Sequence, residues 1–369
     1  MYKPQEDSFL LSDFVKKHAR GAVLDMGTGT GIQAKVAAKL ARVKKVVALD
    51  IDSESLAFAR KNNAHNKIRY AKSDLFSSIA KKKFDTLIFN APYLPQDGKI
   101  FHPELEGGKE GHEVIARFLQ GARKHLEQNG IILLVASSLT PHLNRVFDHT
   151  LFTAQELGKE PAFFEDIIVY KLTSDPRVDE LARKGIHELT YFAHGKRGII
   201  FTGKYLRKKV AVKLVRRQSA SPGTIAMEAR ALIEVNKHQI GPRYIFHTKD
   251  ALVYEFVEGK HLEDSLSSQG IKRICKKVFE QCYALDKLRI NKQEMTRPMK
   301  HVLVNKNKIT LIDFERARKV EDAHNVTQFC QFVGNQVMRD RKQEWIMLAQ
   351  EYSKHRNERV FKKMLLLLS

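Results

Sequence analysis

Long apolar runs are missing from this sequence. No stretch approaches the ~18 consecutive apolar residues of a membrane-spanning helix. At the N-terminus Lys3, Glu6, Asp7 and Asp13 interrupt each apolar stretch, so no signal peptide is expected. Cysteine is scarce, with Cys275, Cys282 and Cys330 the only three in 369 residues. An odd, widely spaced set argues against a disulfide framework or a cysteine-built zinc site and fits a reducing, cytoplasmic setting. Acidic residues are also short, 42 against 64 Lys and Arg, for a net charge of +22. The deficit is uneven: residues 1–172 balance at +5 and the remainder at +17. A basic second half points to an anionic partner such as RNA or the ribosome; the plain reading is a lysine-rich surface. There are no internal repeats and no low-complexity tracts. With 43% hydrophobic residues at this length, two domains with cores of their own are expected.

What the first half does have is a β/α alternation whose strands end in polar residues. Ser8 is a candidate N-cap for a helix through Phe9–Val15, with Asp7 near its positive end. Ala22–Met26, a short buried strand carrying Asp25, runs into Gly27-Thr28-Gly29-Thr30-Gly31 and then a helix, Ile32–Leu40. Strand, glycine loop and helix form a nucleotide-type site in which backbone approaches the ligand closely. The glycines are too closely set for the spaced GxGxxG of dinucleotide enzymes. A second strand, Val46–Leu49, ends in Asp50, placed to accept from two ribose hydroxyls; Asp52 reads as a helix cap. Asp74 follows a strand at Ile68–Tyr70 and is placed to hold an adenine amino group, with Leu75 or Phe76 on the ring. Each acid alone is a common helix cap; three behind successive strands are not. A fourth strand, Phe84–Phe89, ends in Asn90-Ala91-Pro92-Tyr93, where the prolines stop further regular structure. In an open parallel sheet all of these face one crevice beyond the carboxyl ends of the strands. Past the Asn129-Gly130 turn, Ile131–Val135 and Phe163–Leu172 read as further strands.

Tyr2-x-Pro4-x-Glu6-Asp7-Ser8, the Gly27–Gly31 loop and Asn90-Ala91-Pro92-Tyr93 together resemble the HemK-type protein glutamine methyltransferases. Gly107-Gly108-Lys109-Glu110-Gly111 is similar to the archaeal and eukaryotic branch, which modifies class I release factors. The resemblance covers residues 1 to about 172. It implies a class I methyltransferase fold, a mostly parallel sheet with helices on both faces, binding S-adenosylmethionine through Asp25, Gly27, Thr28, Gly29, Gly31, Asp50, Asp74, Leu75 and Asn90. It also implies catalysis by Asn90, Pro92 and Tyr93, a protein substrate, and a small activating zinc-binding partner along the sheet edge. One departure stands out: Ala91 replaces the first of the family's two prolines, which removes some stiffness.

Chemistry supports the same corner. A glutamine amide nitrogen is a poor nucleophile that no ordinary base deprotonates, so the site must orient it in line with a sulfonium methyl about 3 Å away. Asn90 and the Ala91 carbonyl would accept its two hydrogens, and Tyr93 would bracket the amide. The same turn serves adenine-N6 and guanine-N2 methyltransferases, so an RNA or DNA base is the rival substrate. The expectation that no RNA-binding module precedes the short opening motif favours a protein glutamine.

The second half, 181–369 after a linker at 173–180, carries a different set of motifs. Ile199–Gly203 and Val210–Val215 read as paired strands after a glycine-containing turn at Gly195-Lys196-Arg197-Gly198. Val210-Ala211-Val212-Lys213 resembles the nucleotide lobe of protein kinases, with Glu228 placed to pair with Lys213 and Leu252–Gly259, including Glu255 and Val257, resembling the hinge. Ile309–Glu315 resembles the metal-binding strand, with Asp313 as the Mg2+ ligand and Glu315 in place of a glycine. The order and spacing imply a compact α+β protein-kinase-like domain binding ATP and Mg2+, similar to RIO-like predicted archaeal Ser/Thr kinases. The catalytic loop departs from the pattern: Thr296 falls at the usual Asp and His301 at the usual Asn. Glu294 is the candidate to stand in as the acid, and Lys300 is a candidate to touch the γ-phosphate. Protein kinase activity, ATPase activity and mere binding stay open, as does a kinase-like module that recruits the methyltransferase to a ribonucleoprotein.

Overall fold

The computed structural model describes residues 3–96, 104–162, 164–195, 198–216, 224–266 and 270–368. Tyr2 of the opening motif, Phe163, and Lys196 and Arg197 of the glycine turn lie outside the described residues. The chain forms two compact units, Met1–Glu180 and Leu181–Ser369.

In the first unit the elements run α1 (Glu6–His18), β1 (Gly21–Met26), α2 (Ile32–Ala38), β2 (Val43–Asp50), α3 (Ser53–Asn62), β3 (Ile68–Lys72), β4 (Phe84–Asn90), α4 (Glu113–His125), β5 (Leu126–Ser137), α5 (Leu143–Thr150), β6 (Phe152–Ala162), β7 (Glu165–Ser174) and the start of α6 (Pro176–Arg183). The strands form one sheet in the order β3-β2-β1-β4-β5-β7-β6. The first five run parallel, and β7 runs antiparallel to both its neighbours. Both sheet faces are covered. Val23, Ile88 and Leu133 point to one face and pack with α1 and α2. Leu24, Leu87 and Leu134, each one residue away from these, point to the other face and pack with α4 and α5. That alternation is the two-residue period of a strand buried on both sides.

Three local expectations need correction. Ser8 is not an N-cap: Gln5 holds the N-cap position of α1 without a side-chain capping bond, and Ser8 sits buried inside the first turns. The Asn129-Gly130 pair does not precede a strand but lies within β5, in a bulge between the pairings Phe84↔Leu126 and Thr86↔Ile131. Strand β6 was not expected at all. It is an edge strand interrupted by Gly158 and Pro161, with mixed burial and no clean alternation to mark it. Asp52 does cap α3, accepting from the backbone N–H groups of Glu54 and Ser55.

The second unit holds β8 (His187–His194), β9 (Gly198–Tyr205), β10 (Lys208–Val215), α7 (Thr224–Asn236), β11 (Tyr244–His247) and β12 (Ala251–Glu255). These strands make an antiparallel sheet in the order β11-β12-β10-β9-β8. There follow β13 (Lys260–His261), α8 (Ile271–Lys287), β14 (Ile290–Asn291), β15 (Val302–Asn305), β16 (Lys308–Leu311), β17 (Arg318–Lys319), α9 (Asn325–Phe332), α10 (Lys342–His355) and α11 (Glu358–Leu367). One core joins α7 to α8–α11 around Phe279, Phe314, Phe329 and Trp345. Among the described residues no helix is long and apolar enough to cross a membrane.

Candidate active site

The loop after β1 is held from both ends. Thr28 Oγ1 donates to Asp25 Oδ2 at 2.6 Å, and Ala34 N–H donates to the same oxygen at 3.0 Å. Gly29 N–H donates to Asp50 Oδ2 at 2.8 Å, so the ends of β1 and β2 are tied through the loop itself. Gly31 has φ +84°, and a Cβ there would stand 3.0 Å from the Ala59 side chain, so the turn into α2 needs glycine. Asp25 is fully enclosed. Burial pushes its carboxyl up to about 7, against the opposing bonds from Thr28 and Ala34, and nearby Asp50 adds to the rise.

Asn90 ends β4 beside the start of α1. Its Nδ2 donates to Asp7 Oδ2 at 2.9 Å and lies 3.3 Å from Ser8 Oγ. Its Oδ1 is buried and, among the described residues, has no hydrogen-bond partner. The rest of the corner is gripped by backbone. Leu94 N–H donates to Leu105 O at 3.0 Å, Gly107 N–H to Leu94 O at 2.9 Å, and Gln96 N–H to Gly108 O at 3.0 Å. Thr140 Oγ1 donates to Tyr93 O at 3.0 Å. The Gly107–Gly111 segment lies so close that a Cβ at Gly107 would fall 2.4 Å from Pro92 O, and one at Gly111 would fall 2.5 Å from Tyr93 O. This packing supplies rigidity that Ala91, lacking a proline ring, does not. Tyr93 is half-buried, and burial raises its phenol above the ordinary range, so it stays protonated.

These parts enclose one cavity of about 610 Å³, lined by the glycine loop, Asp25, Asp50, Asp74, Leu75, Asn90, Pro92 and Tyr93. Of the residues expected in the first-unit site, Gly31 does not border it, and neither does Phe76, which stacks on Phe118 and His125 instead; the others do. Asp74 is exposed there and pairs with Arg117 at 3.1 Å. Asp7, Asp52, Glu104 and Glu106 also line the wall. The size is that of a small-molecule site. The acid-rich lining suits a cationic ligand such as S-adenosylmethionine, and the unpartnered Oδ1 suits an N–H donor beside it.

Residues 5–163 match the methyltransferase small domain family. A putative protein N5-glutamine methyltransferase of Methanocaldococcus jannaschii is 35% identical over 147 residues, 38% of this chain and 74% of that protein. This chain belongs to the methyltransferase small domain family. Membership brings the class I methyltransferase-like fold to the first unit and S-adenosylmethionine as its cofactor. A release factor glutamine methyltransferase of Koribacter versatilis is 32% identical over 33% of this chain and 48% of its own length. A ribosomal RNA small subunit methyltransferase C of Serratia proteamaculans is 30% identical over 42% of each. The chain thus spans under half of these last two relatives. Among solved structures, the E. cuniculi complex responsible for methylation of the eRF1 translation termination factor aligns at 25% identity, over 47% of this chain and 98% of that one, with a TM-score of 0.39.

The second unit gathers another set of charges. Lys213, on β10, places Nζ 2.7 Å from Glu228 on α7, 3.0 Å from Glu315 and 3.4 Å from Asp313. Burial alone would lower the Lys213 ammonium, but Glu228, Asp313 and Glu315 outweigh it and hold it protonated. Burial conversely would raise Asp313, yet Lys213 and Lys292 keep it low. Glu228, Asp313 and Glu315 offer ligand oxygens within 4.8 Å of one another, which suits a hard cation such as Mg2+. His301 Nδ1 stands 3.7 Å from Asp313 Oδ2, and burial lowers its pKa to about 4, leaving it neutral.

Sequence reading missed two members. Glu315 was noted only as a glycine replacement. Lys292 is wholly buried, donates to Asp313 O at 2.9 Å and reaches Glu294 at 3.5 Å, linking Glu294 to the cluster. Nothing in the polar run Asn291–Glu294 signals that burial. Glu255 ends β12, where its side chain pairs loosely with Lys208 and Arg243 at 3.7 and 3.6 Å; Val257 follows in the irregular stretch beyond it. The structure does not draw Lys300 into the cluster: it is exposed on a single 3₁₀ turn and makes no ion pair among the described residues. Thr296 is exposed as well.

Proposed function

We propose that the first unit methylates a glutamine side-chain amide nitrogen of a protein, in a translation release factor. The observation that carries this reading is Asn90 Oδ1 in the wall of the acid-lined cavity, buried and without a hydrogen-bond partner among the described residues. S-adenosylmethionine supplies an electrophilic methyl on a positively charged sulfur. Asn90 Oδ1 and the Ala91 carbonyl accept the two amide hydrogens and aim the nitrogen. Tyr93, kept neutral, stacks on the amide plane. Rate then comes chiefly from orientation in a site that holds its shape beforehand. The names of the Methanocaldococcus and Koribacter relatives favour protein glutamine, as does the near-balanced charge of residues 1–172. The reading retains a small zinc-binding activator along the sheet edge, where β3 has a neighbour on one side only. Full activity in a preparation free of any such protein removes it.

The test is mass spectrometry of total lysate incubated with labelled donor. Wild type is expected to place label on protein glutamine, and Asn90→Ala is expected to lose all but a small, measurable residue of it. Label in RNA or DNA instead establishes the base-methylating alternative.

For the second unit we propose ATP and Mg2+ binding at Lys213, Glu228 and Asp313, with Glu255 and Val257 at the strand exit. The contact that favours it is the strand-to-helix pair Lys213–Glu228 beside Asp313. Glu294, joined to Asp313 through Lys292, is the candidate acid for phosphoryl transfer. If the unit instead only recruits the enzyme to a ribonucleoprotein, Asp313→Ala leaves both catalytic assays unchanged and weakens that association.

A further inference from the structure

We infer that Asp7 is a positioning residue: it fixes which end of the Asn90 amide faces the reacting centre. The inference rests on the glutamine-methylation reading of this site. An asparagine amide has a donating end and an accepting end of nearly the same shape, and a half-turn about its last torsion exchanges them. A substrate NH2 can be held only by the accepting end. A carboxylate accepts and does not donate, so a carboxylate beside the amide selects its orientation. Asp7 is that carboxylate. It is 3% exposed and receives the Asn90 Nδ2 hydrogen at 2.9 Å. Ser8 Oγ, also buried, lies 3.3 Å from the same nitrogen. Oδ1 is thereby turned away from both and left buried without a partner among the described residues. The arrangement joins the first turn of α1 to the end of β4, across 83 residues of chain. Asp7 and Ser8 thus act at the far end of the sheet strand and not as part of a helix start alone.

The test uses the full-length protein, tritium transfer from S-adenosylmethionine into total lysate protein, and donor affinity by calorimetry. Asp7→Leu removes the acceptor. Asp7 also borders the acid-lined cavity, so some donor affinity is expected to go with it, but the initial rate is expected to fall on the order of a hundredfold, as for a misplaced positioning group, well beyond the fall in affinity. Asp7→Asn keeps an acceptor oxygen without enforcing the orientation and is expected to recover most of that loss. In an Asn90→Ala background neither Asp7 substitution is expected to lower the rate further, because residues acting through one another are not additive. If Asp7→Leu fails to fold by thermal melting, the Asp7→Asn arm carries the test: a several-fold loss that vanishes in the Asn90→Ala background. The inference is overturned if the Asp7 variants retain the wild-type rate, lose rate equally with and without Asn90, or lose donor affinity in step with rate. A wild-type rate in Asn90→Ala alone overturns the glutamine reading itself and this inference with it.

Discussion

A carboxyl shut away from water, as Asp25 is, keeps its proton to about pH 7 in the folded chain, against 3.8 as the ordinary value. The folded state therefore binds this proton more tightly than the unfolded one. The resulting stability is fully present below pH ~4 and is lost as pH rises toward 7, over a span worth on the order of 4 kcal/mol. Asp25→Asn, which keeps an acceptor for Thr28 and Ala34, is expected to flatten that slope in the first unit. Calorimetric melting of both proteins between pH 4 and 8 measures it; parallel slopes would show that Asp25 is charged throughout.

At the scale of elements, the Asn90–Leu94 corner depends on a second segment distant in sequence. Because Gly111 has φ +86° and no room for a Cβ beside Tyr93 O, Gly111→Ala must shift the corner. Displacements near 1 Å at a positioning group cost on the order of a hundredfold in rate. We expect such a loss of methyl transfer with donor affinity retained, read by the tritium assay and by titration. Sequence showed both segments as motifs but not their embrace, since it is made by backbone bonds such as Gly107 N–H to Leu94 O, which no side-chain pattern encodes. The same limit hid the role of Asp7, visible only as an acid near a helix start. By contrast β1, β2 and β4 were legible because strands buried on both faces leave nearly continuous apolar runs, broken only at single polar positions such as Asp25 and Asp85. Strand β6 was not, because an edge strand with intermittent burial carries no such run. Glu315 was legible as a departure from a pattern, and Lys292 was hidden because charge alone says nothing of burial.

Across the whole molecule the two units give separable signals. The single tryptophan, Trp345, is buried in the second unit, so its fluorescence reports that unit alone. ATP with Mg2+ is expected to raise the Trp345-reported melting temperature, by the equivalent of ~2.7 kcal/mol at a hundredfold excess over Kd. Asp313→Ala is expected to abolish the rise. No shift in wild type would remove nucleotide binding from the second unit.

The ring of Glu228, Asp313 and Glu315 about one ammonium has a kinetic corollary. On the proposed nucleotide reading, a bare polyphosphate entering that hollow would meet the carboxyl groups of Glu228, Asp313, Glu315 and Glu294 against the amines of Lys213 and Lys292 alone, and is expected to be turned back. Chelated to a divalent ion it arrives with much of its charge cancelled, and the ion gains three oxygens on landing. If the second unit takes nucleotide as proposed, order of addition is expected to matter: cation first or together, never nucleotide alone, so a chelator should stop capture at the doorstep and not after it.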